Sequence, residues 1–334
     1  MNISFNYIVI LLCYIFCFAN GFNDAANIIA LPISTRVISP FWALFLACVF
    51  EFIGCYFFGS LVVKTIIKDI VDLNFLVVDN TYRILFATLF AASSWSITCT
   101  ILGFPISSSH TLIGSMIGSV LGIYNYSLIK WINVLKIILV LIFAPFFGFI
   151  ISYLLTKIIY ILFFYAPKKI SKIFDWLNIL SICFFALSHG SNNGKKTVGL
   201  FMFCLLLLNV YNVDTPIPRW VILSCASIIS FGILLGGRNV MKTVGMKIYK
   251  MKNWQVTISQ FSASALTYIG SLLGLPLSTT HLIVGSIVGS GSADKVKSIK
   301  WEVSLDIFAV WVFTLPLNIL LSYLIFKFLT FINL

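Results

Sequence analysis

The sequence predicts an all-α, polytopic membrane protein that consists of two copies of one membrane unit. Of its 334 residues, 60% are hydrophobic and only 10% are charged, whereas soluble domains carry roughly 25% charged residues. The charged residues lie between long apolar runs, and a soluble protein of this size could not bury 32 Phe together with so many Leu and Ile. A soluble, disordered or secreted disulfide-rich protein is therefore excluded.

The formal net charge of +12 comes mainly from segments between apolar runs, where cytoplasmic Lys and Arg accumulate in membrane proteins. No nucleic-acid partner is therefore expected. The eight cysteines lie in apolar stretches without CxxC spacing, which indicates buried thiols and no metal site. No cofactor is expected. The first apolar run lacks the basic residues that begin a cleaved signal peptide, so we expect it to be retained as a span.

Membrane-spanning helices need about 20 apolar residues. The candidates are, in chain order, Tyr7–Pro32, Phe41–Val63, Ile84–Leu102, Trp131–Tyr165, Trp176–Val213, Trp220–Leu235, Val256–Leu273 and Trp301–Leu329. Two shorter segments, Phe104–Tyr124 and Leu275–Ser290, are rich in Gly and Ser and are poor lipid-facing spans. We expect them to form re-entrant helical hairpins over residues 103–124 and 274–291.

An internal repeat divides the chain near its middle. The segment Gly103–Ser115 (GFPISSSHTLIGS) recurs 171 positions later as Gly274–Ser286 (GLPLSTTHLIVGS). Upstream, Asn20–Asp24 (NGFND) matches His189–Asn193 (HGSNN) at a separation of 169. Weaker matches pair Lys130-Trp131 with Lys300-Trp301, Pro145 with Pro316, and Val63-Lys64-Thr65 with Met241-Lys242-Thr243. This predicts a first membrane repeat over 1–165, a basic cytoplasmic linker over 166–175 and a second membrane repeat over 176–334.

Duplicated units with Gly- and Pro-interrupted segments at matching positions are typical of secondary transporters. Inverted repeats require an odd number of crossings in each half. Basic residues are densest at Lys157–Lys172 and Arg238–Lys252, which places both loops in the cytoplasm. Inversion then requires an even number of crossings in Trp131–Tyr165, and two short helices meeting near Pro145 are expected there.

Each hairpin segment carries a proline followed by three hydroxyl residues, a pattern that predicts a helix N-terminus. The hydroxyl residues are Ser107, Ser108 and Ser109 in the first copy and Ser278, Thr279 and Thr280 in the second. Free N–H groups and the positive end of the helix dipole bind anions there. Two such helix ends that meet would bind a tetrahedral oxyanion. The competing interpretation is an ordinary helix cap at the surface.

Polar and acidic side chains interrupt three apolar runs: Asn20, Asn23, Asp24 and Asn27 in the first, Glu51 in the second, and Ser188, His189, Ser191, Asn192 and Asn193 in the third. Such groups are costly in hydrocarbon and are expected to line a cavity. Their oxygens suit Na⁺, and a carboxylate can instead carry a proton. Polar helix packing, or a neutral buried Glu51, is the competing interpretation. His110 and His281 are expected to be structural hydrogen-bond donors.

These residues resemble the signature of the inorganic phosphate transporters of the PiT type. That family has a duplicated G-x-N-D motif, similar to Gly21–Asn27 and His189–Gly194 here, and duplicated Ser/Thr-rich re-entrant hairpins, similar to Gly103–Ser115 and Gly274–Ser286. The resemblance implies an inverted-repeat fold that holds substrate between the hairpins and the signature segments. It implies phosphate binding by Asn23, Ser107, Ser108, Ser109, Asn192, Asn193, Ser278, Thr279 and Thr280, and cation coupling through Asp24, Asn27 and Glu51.

The second signature departs from the family pattern. It has Asn192-Asn193 where the family usually has Asn-Asp, and Lys195 and Lys196 follow. Our hypothesis is that a cation site is weakened, and that a lysine ammonium turned inward replaces the ion. In the alternative, both lysines face the surface and a single cation binds.

The expected function is secondary active import of inorganic phosphate by symport with Na⁺ or H⁺, the latter also with a metal–phosphate complex. A sulfate permease of the same fold is the first alternative and an anion channel the second. An enzyme is not expected, because no HExxH or nucleophile–base motif is present. The lipid bilayer of the cell (inner) membrane is the expected location, and the sequence leaves a homodimer open.

Overall fold

The first half of the molecule contains five α-helices within the residues that the structure, a computed structural model, describes. The described residues are 3–58, 78–123, 129–165, 167, 170–208, 210–211, 216–275 and 277–332. The five helices are α1 (Ile3–Ser34), α2 (Pro40–Phe58), α3 (Val78–Leu102), α4 (Ser108–Leu121) and α5 (Trp131–Leu162). The segment Val63-Lys64-Thr65, which matches Met241-Lys242-Thr243 in the sequence, lies outside the described residues.

The second half contains six described α-helices. Its helices are α6 (Ile170–Leu207), α7 (Arg219–Leu235), α8 (Arg238–Lys242), α9 (Asn253–Leu272), α10 (Thr279–Lys295) and α11 (Trp301–Phe331). A π-helical turn continues α8 over Thr243–Lys247. Residues 170–175 of the predicted linker form the first turns of α6. The described part of the chain contains no β-strand, so the all-α prediction is confirmed.

By length and composition, six of the described helices can cross a membrane, and α7 with the bent continuation through α8 would make a seventh. Large apolar side chains are exposed on α5 and α11, among them Phe143, Phe147, Phe313 and Leu320. Such extensive apolar surface is stable in lipid rather than in water. The predicted span Val256–Leu273 is helical, as α9, but is not among the six, because it carries many polar residues such as Thr257, Ser259 and Gln260.

The expectation of two short helices near Pro145 is wrong. Trp131–Leu162 is one continuous helix of 32 residues with Pro145 inside it. A proline is tolerated in a membrane helix when neighbouring helices support the backbone that it frees. Here α10 packs directly on this turn, because a Cβ at Gly285 would lie only 2.2 Å from the carbonyl oxygen of Pro145.

The odd crossing count that inversion requires does not depend on a break in α5. Only the short segment Gly103–Ser107 separates α3 from α4, and the two helices contact each other. If α3 and α4 form a re-entrant hairpin, α3 does not cross although its length would allow it, and α1, α2 and α5 give an odd count without a break in α5. Gly103 and Gly274 begin the two connecting segments with φ of +86° and +70°, which glycine adopts without strain. The inversion itself and the repeat boundaries stay predictions.

Close helix contacts occur in matching pairs between the two halves. A Cβ at Gly21 of α1 would lie 2.1 Å from the carbonyl oxygen of Ile229 in α7, and one at Gly190 of α6 would lie 2.3 Å from that of Glu51 in α2. Helices α1 and α6 are therefore equivalent, as are α2 and α7. The equivalence places Ile229 where the other half has Glu51.

The hairpin helices also pack on the opposite half. A Cβ at Gly118 of α4 would lie 2.1 Å from the Ile319 oxygen of α11, and one at Gly289 of α10 would lie 2.2 Å from the Phe149 oxygen of α5. The spacing of Gly114, Gly118 and Gly122 in one copy and of Gly285 and Gly289 in the other predicts a small-residue packing face, and these contacts confirm it. Each hairpin helix thus packs on the last long helix of the opposite half.

Candidate functional site

The two hairpin helices begin in the same way. Ser107 and Ser278 are the N-caps of α4 and α10, with ψ of 111° at both, and their side-chain oxygens accept hydrogen bonds from the backbone N–H groups of His110 and His281. The predicted helix N-termini are therefore confirmed. Both caps are buried, so the alternative of caps at the surface is wrong.

The first N–H groups of each helix have no acceptor within their own helix. These groups belong to Ser108 and Ser109 in α4 and to Thr279 and Thr280 in α10. Ser109, Thr279 and Thr280 are buried and Ser108 is half-buried. The arrangement offers hydrogen-bond donors to an anion from both halves of the molecule.

Replacing Ser278 by Ala is expected to lower the free energy of unfolding by about 1 kcal/mol, because the cap of α10 is lost. Replacing it by Gly, which is tolerated at N-caps, is expected to cost only a few tenths of a kcal/mol. Thermal unfolding of both variants in detergent checks this prediction. Equal stability of the Ala variant and the wild type would contradict it.

Asn23 and Asn192 connect the signature helices to the hairpins. Asn23 Nδ2 donates to Thr100 Oγ1 at 2.8 Å and to the Phe104 carbonyl at 3.2 Å, and its Oδ1 accepts from the Ile106 N–H at 3.3 Å. Asn192 Nδ2 donates to the Leu277 carbonyl at 3.0 Å. Both amides therefore fix the extended segment that leads into a hairpin helix.

Asp24 lies at the meeting point of both signature segments and the second hairpin. Its Oδ1 accepts from Asn27 Nδ2 at 2.8 Å and lies 3.4 Å from Thr280 Oγ1, and its Oδ2 accepts from Asn193 Nδ2 at 2.9 Å. Asn27 Nδ2 also donates to Thr280 Oγ1 at 2.9 Å. The carboxylate is buried and joins a helix of one half to the hairpin of the other.

A second buried carboxylate, Glu51, is paired with His189. The Nδ1 atom of His189 lies 3.0 Å from both carboxylate oxygens of Glu51, and its Nε2 atom lies 3.5 Å from Asp24 Oδ2. All three side chains are buried. The imidazole of α6 thus lies between two carboxylates that belong to the consecutive helices α1 and α2. The sequence identifies His189 as a cavity residue but not as the partner of Glu51.

His110 and His281 lie in the first turns of α4 and α10 and contact each other. Their rings lie 5.0 Å apart between centroids, and the His281 ring lies 3.9 Å from that of Trp311. His281 Nδ1 lies 3.0 Å from the Leu141 carbonyl, and Trp311 Nε1 donates to the Pro105 carbonyl at 2.8 Å. The contact with Leu141 supports the expectation of a structural donor for His281, whereas the buried Nδ1 of His110 has no hydrogen-bond partner among the described residues.

Lys195 and Lys196 are each only 5% exposed, so the alternative that places them at the surface is wrong. Lys195 Nζ donates to the carbonyl and hydroxyl oxygens of Ser271, at the end of α9. Lys196 Nζ donates to the Leu277 carbonyl at 3.1 Å. The ammonium of Lys196 therefore lies directly beside the start of the second hairpin helix.

Comparison with known proteins adds three findings. Residues 20–322 match the sequence profile of the Phosphate transporter family. Probable low-affinity inorganic phosphate transporters of Rhizobium meliloti and Bacillus subtilis are 35% and 34% identical to this chain, over 92% and 93% of its length and 91% and 93% of theirs. A solved structure described as "The sodium-dependent phosphate transporter" superimposes with a TM-score of 0.91 at 25% identity, and covers 99% of this chain and 100% of its own.

Proposed function

Because this chain belongs to the phosphate transporter family, we propose that it imports inorganic phosphate as a secondary transporter by symport with a cation. The observation that carries this proposal is the position of Thr280. This residue belongs to the first turn of a hairpin helix that offers anion-binding N–H groups, and its hydroxyl also contacts Asp24 and Asn27. Anion and cation would therefore bind to one connected group of side chains.

In this proposal, phosphate binds between the starts of α4 and α10. The N–H groups of Ser108, Ser109, Thr279 and Thr280 and the hydroxyl groups of the first three donate to its oxygens, and the caps Ser107 and Ser278 shape the two helix ends. Asn23, Asn192 and Asn193 position these donors, since their amides hold the hairpin segments and Asp24. A monohydrogen phosphate can also donate its proton to a nearby carboxylate, whereas sulfate has no proton to donate at neutral pH. Asp24 thus favours phosphate over sulfate.

Na⁺ is the coupling ion that the Asp24 cluster supports best. Asn27 Oδ1 is buried and accepts no hydrogen bond from any described residue. An amide oxygen of this kind binds a hard cation but does not take up a proton at neutral pH. The carboxylate of Asp24 and the hydroxyl of Thr280 would complete a set of oxygen ligands. The similar solved structure is also that of a sodium-dependent transporter.

H⁺ is the second candidate, and the contacts of His189 favour it. The imidazole of His189 connects the buried carboxylates of Glu51 and Asp24. Chains of acidic and histidine side chains serve as proton relays in pumps and transporters. In that case phosphate could travel as a metal–phosphate complex. We place the protein in the cell (inner) membrane, and the proposed activity includes no catalytic step.

The test is uptake of radiolabelled phosphate into proteoliposomes that contain the purified protein. Sodium and pH gradients are imposed separately, each with and without excess unlabelled sulfate, and protein-free liposomes are the control. We expect accumulation that follows the sodium gradient and is insensitive to sulfate. Accumulation that follows only the pH gradient would replace Na⁺ by H⁺. Inhibition by sulfate would contradict the phosphate specificity, and equilibration without accumulation would contradict symport.

A further inference from the structure

The two halves of the candidate site have equivalent positions with different side chains. At the separation of 169 in the signature segments, Asp24 corresponds to Asn193 and Asn27 to Lys196. At the separation of 171 in the hairpins, Thr280 corresponds to Ser109 and Leu277 to Ile106. The matching glycine contacts of α1 with α7 and of α6 with α2 show that this equivalence also holds in three dimensions.

Asp24, Asn27, Thr280 and the Ile106 carbonyl form a first cluster. The equivalence between the two halves therefore predicts the position of a second cluster. In the first, Asp24 and Asn27 face Thr280, and the Thr280 hydroxyl donates to the Ile106 carbonyl at 2.9 Å. The equivalent set is Asn193, Lys196, Ser109 and the Leu277 carbonyl.

Two buried oxygens of the second cluster accept no hydrogen bond from the described residues. Asn193 Oδ1 and Ser109 Oγ are both buried, and neither has a hydrogen-bond partner in the described part of the chain. Buried polar atoms without a partner are rare in folded proteins and call for an explanation. The ammonium of Lys196 already bonds to the Leu277 carbonyl, which is the counterpart of the Ile106 carbonyl in the first cluster.

The charges of the two clusters are complementary. The first has a carboxylate and an amide, whereas the second has an amide and an ammonium. Asn193 Nδ2 donates to Asp24 Oδ2 at 2.9 Å. A carboxylate at position 193 would face that of Asp24 and would require an additional cation or proton between them. With Asn193 and Lys196, the second cluster needs no cation from solution.

We propose that the ammonium of Lys196 is a permanent, covalently attached occupant of the second of two equivalent cation sites. This inference rests on the proposed cation-coupled phosphate transport and extends it. The chain would take up one coupling cation fewer per phosphate than a chain with Asp and Asn in both clusters. Lying beside the start of α10, the ammonium would also stabilise the bound phosphate.

The decisive experiment rebuilds the first cluster in the second half. The double variant Asn193→Asp/Lys196→Asn copies the Asp24–Asn27 pair. Coupling stoichiometry is measured in proteoliposomes, from the membrane potential at which net phosphate flux vanishes under graded cation gradients. We expect the double variant to take up one more cation per phosphate than the wild type. Unchanged stoichiometry in a variant that transports phosphate would overturn the proposal.

If the double variant does not transport phosphate, single variants test the role of Lys196. Lys196→Met is expected to weaken equilibrium binding of phosphate to the purified protein by about 10- to 100-fold, the effect of losing a charged hydrogen-bond donor, and Lys196→Arg to restore most of it. Lys195→Met is the matched control, because Lys195 bonds to Ser271 instead. Its phosphate binding is expected to change less than twofold. Wild-type affinity in Lys196→Met would overturn the proposal.

These outcomes are distinct from a failure of the proposed function. If the wild type accumulated no phosphate under any cation gradient, symport itself would be wrong. If the wild type accumulated phosphate and the variants at position 196 behaved like it, only the role of Lys196 would be wrong.

Discussion

Replacing Asp24 by Asn is expected to reduce gradient-driven phosphate uptake by at least about 100-fold. The carboxylate accepts hydrogen bonds from Asn27 and Asn193 and lies 3.4 Å from the Thr280 hydroxyl, and it supplies the negative charge for the proposed cation site. Charge-assisted hydrogen bonds contribute about 1.5–3 kcal/mol each, and about 3 kcal/mol corresponds to about 100-fold in affinity. The Asn side chain has nearly the same volume, so the effect should arise from the lost charge.

Initial rates of uptake into proteoliposomes measure this effect. The matched control is Asp306→Asn, which removes an exposed carboxylate from α11 and should leave the rate within about twofold of the wild type. Accumulation by Asp24→Asn at the wild-type rate would show that this carboxylate does not take part in coupling.

Replacing Gly118 or Gly289 by Ala is expected to cause the largest loss of stability. The added Cβ would lie 2.1 Å from the Ile319 oxygen or 2.2 Å from the Phe149 oxygen, far inside van der Waals contact. Both oxygens belong to helix backbones, so a whole helix must shift. Overpacking costs about 1–3 kcal/mol where side chains can adjust, and a larger cost is expected here.

The yield of monodisperse protein and its thermal unfolding in detergent check this prediction. Gly291→Ala is the control, because the added Cβ would meet mainly side-chain atoms of Tyr249, at 3.0 Å. It should remain close to the wild type in stability. Wild-type stability of both Gly118→Ala and Gly289→Ala would contradict the tight packing of each hairpin on the opposite half.

The helix starts at Ser107 and Ser278 could be predicted from sequence because capping depends on a few neighbouring residues. The continuity of α5 could not, because the expected break near Pro145 comes from counting crossings, whereas the helix is supported there by α10, whose residues lie far along the chain. The same holds for α9: its length suggests a span, but it carries many polar side chains that are buried within the protein.

The pairing of Glu51 with His189 could not be read from the sequence either. It arises where Gly190 allows α6 to approach the backbone of α2. The sequence does, however, indicate the position of the Lys196 side chain. Counting 169 positions from Asn27 leads to Lys196, and this equivalence indicates an inward-facing side chain before any contact is known.

The most direct test of the central claim, that one anion binds between the two hairpin helices, is to locate an arsenate ion by its anomalous X-ray scattering. Arsenate has the shape and charge of phosphate, and arsenic scatters strongly enough to identify its position. We predict a single arsenic peak between Ser109 and Thr280, within hydrogen-bond distance of the first N–H groups of both α4 and α10. A peak that contacts only one hairpin, or that lies away from both, would contradict the claim.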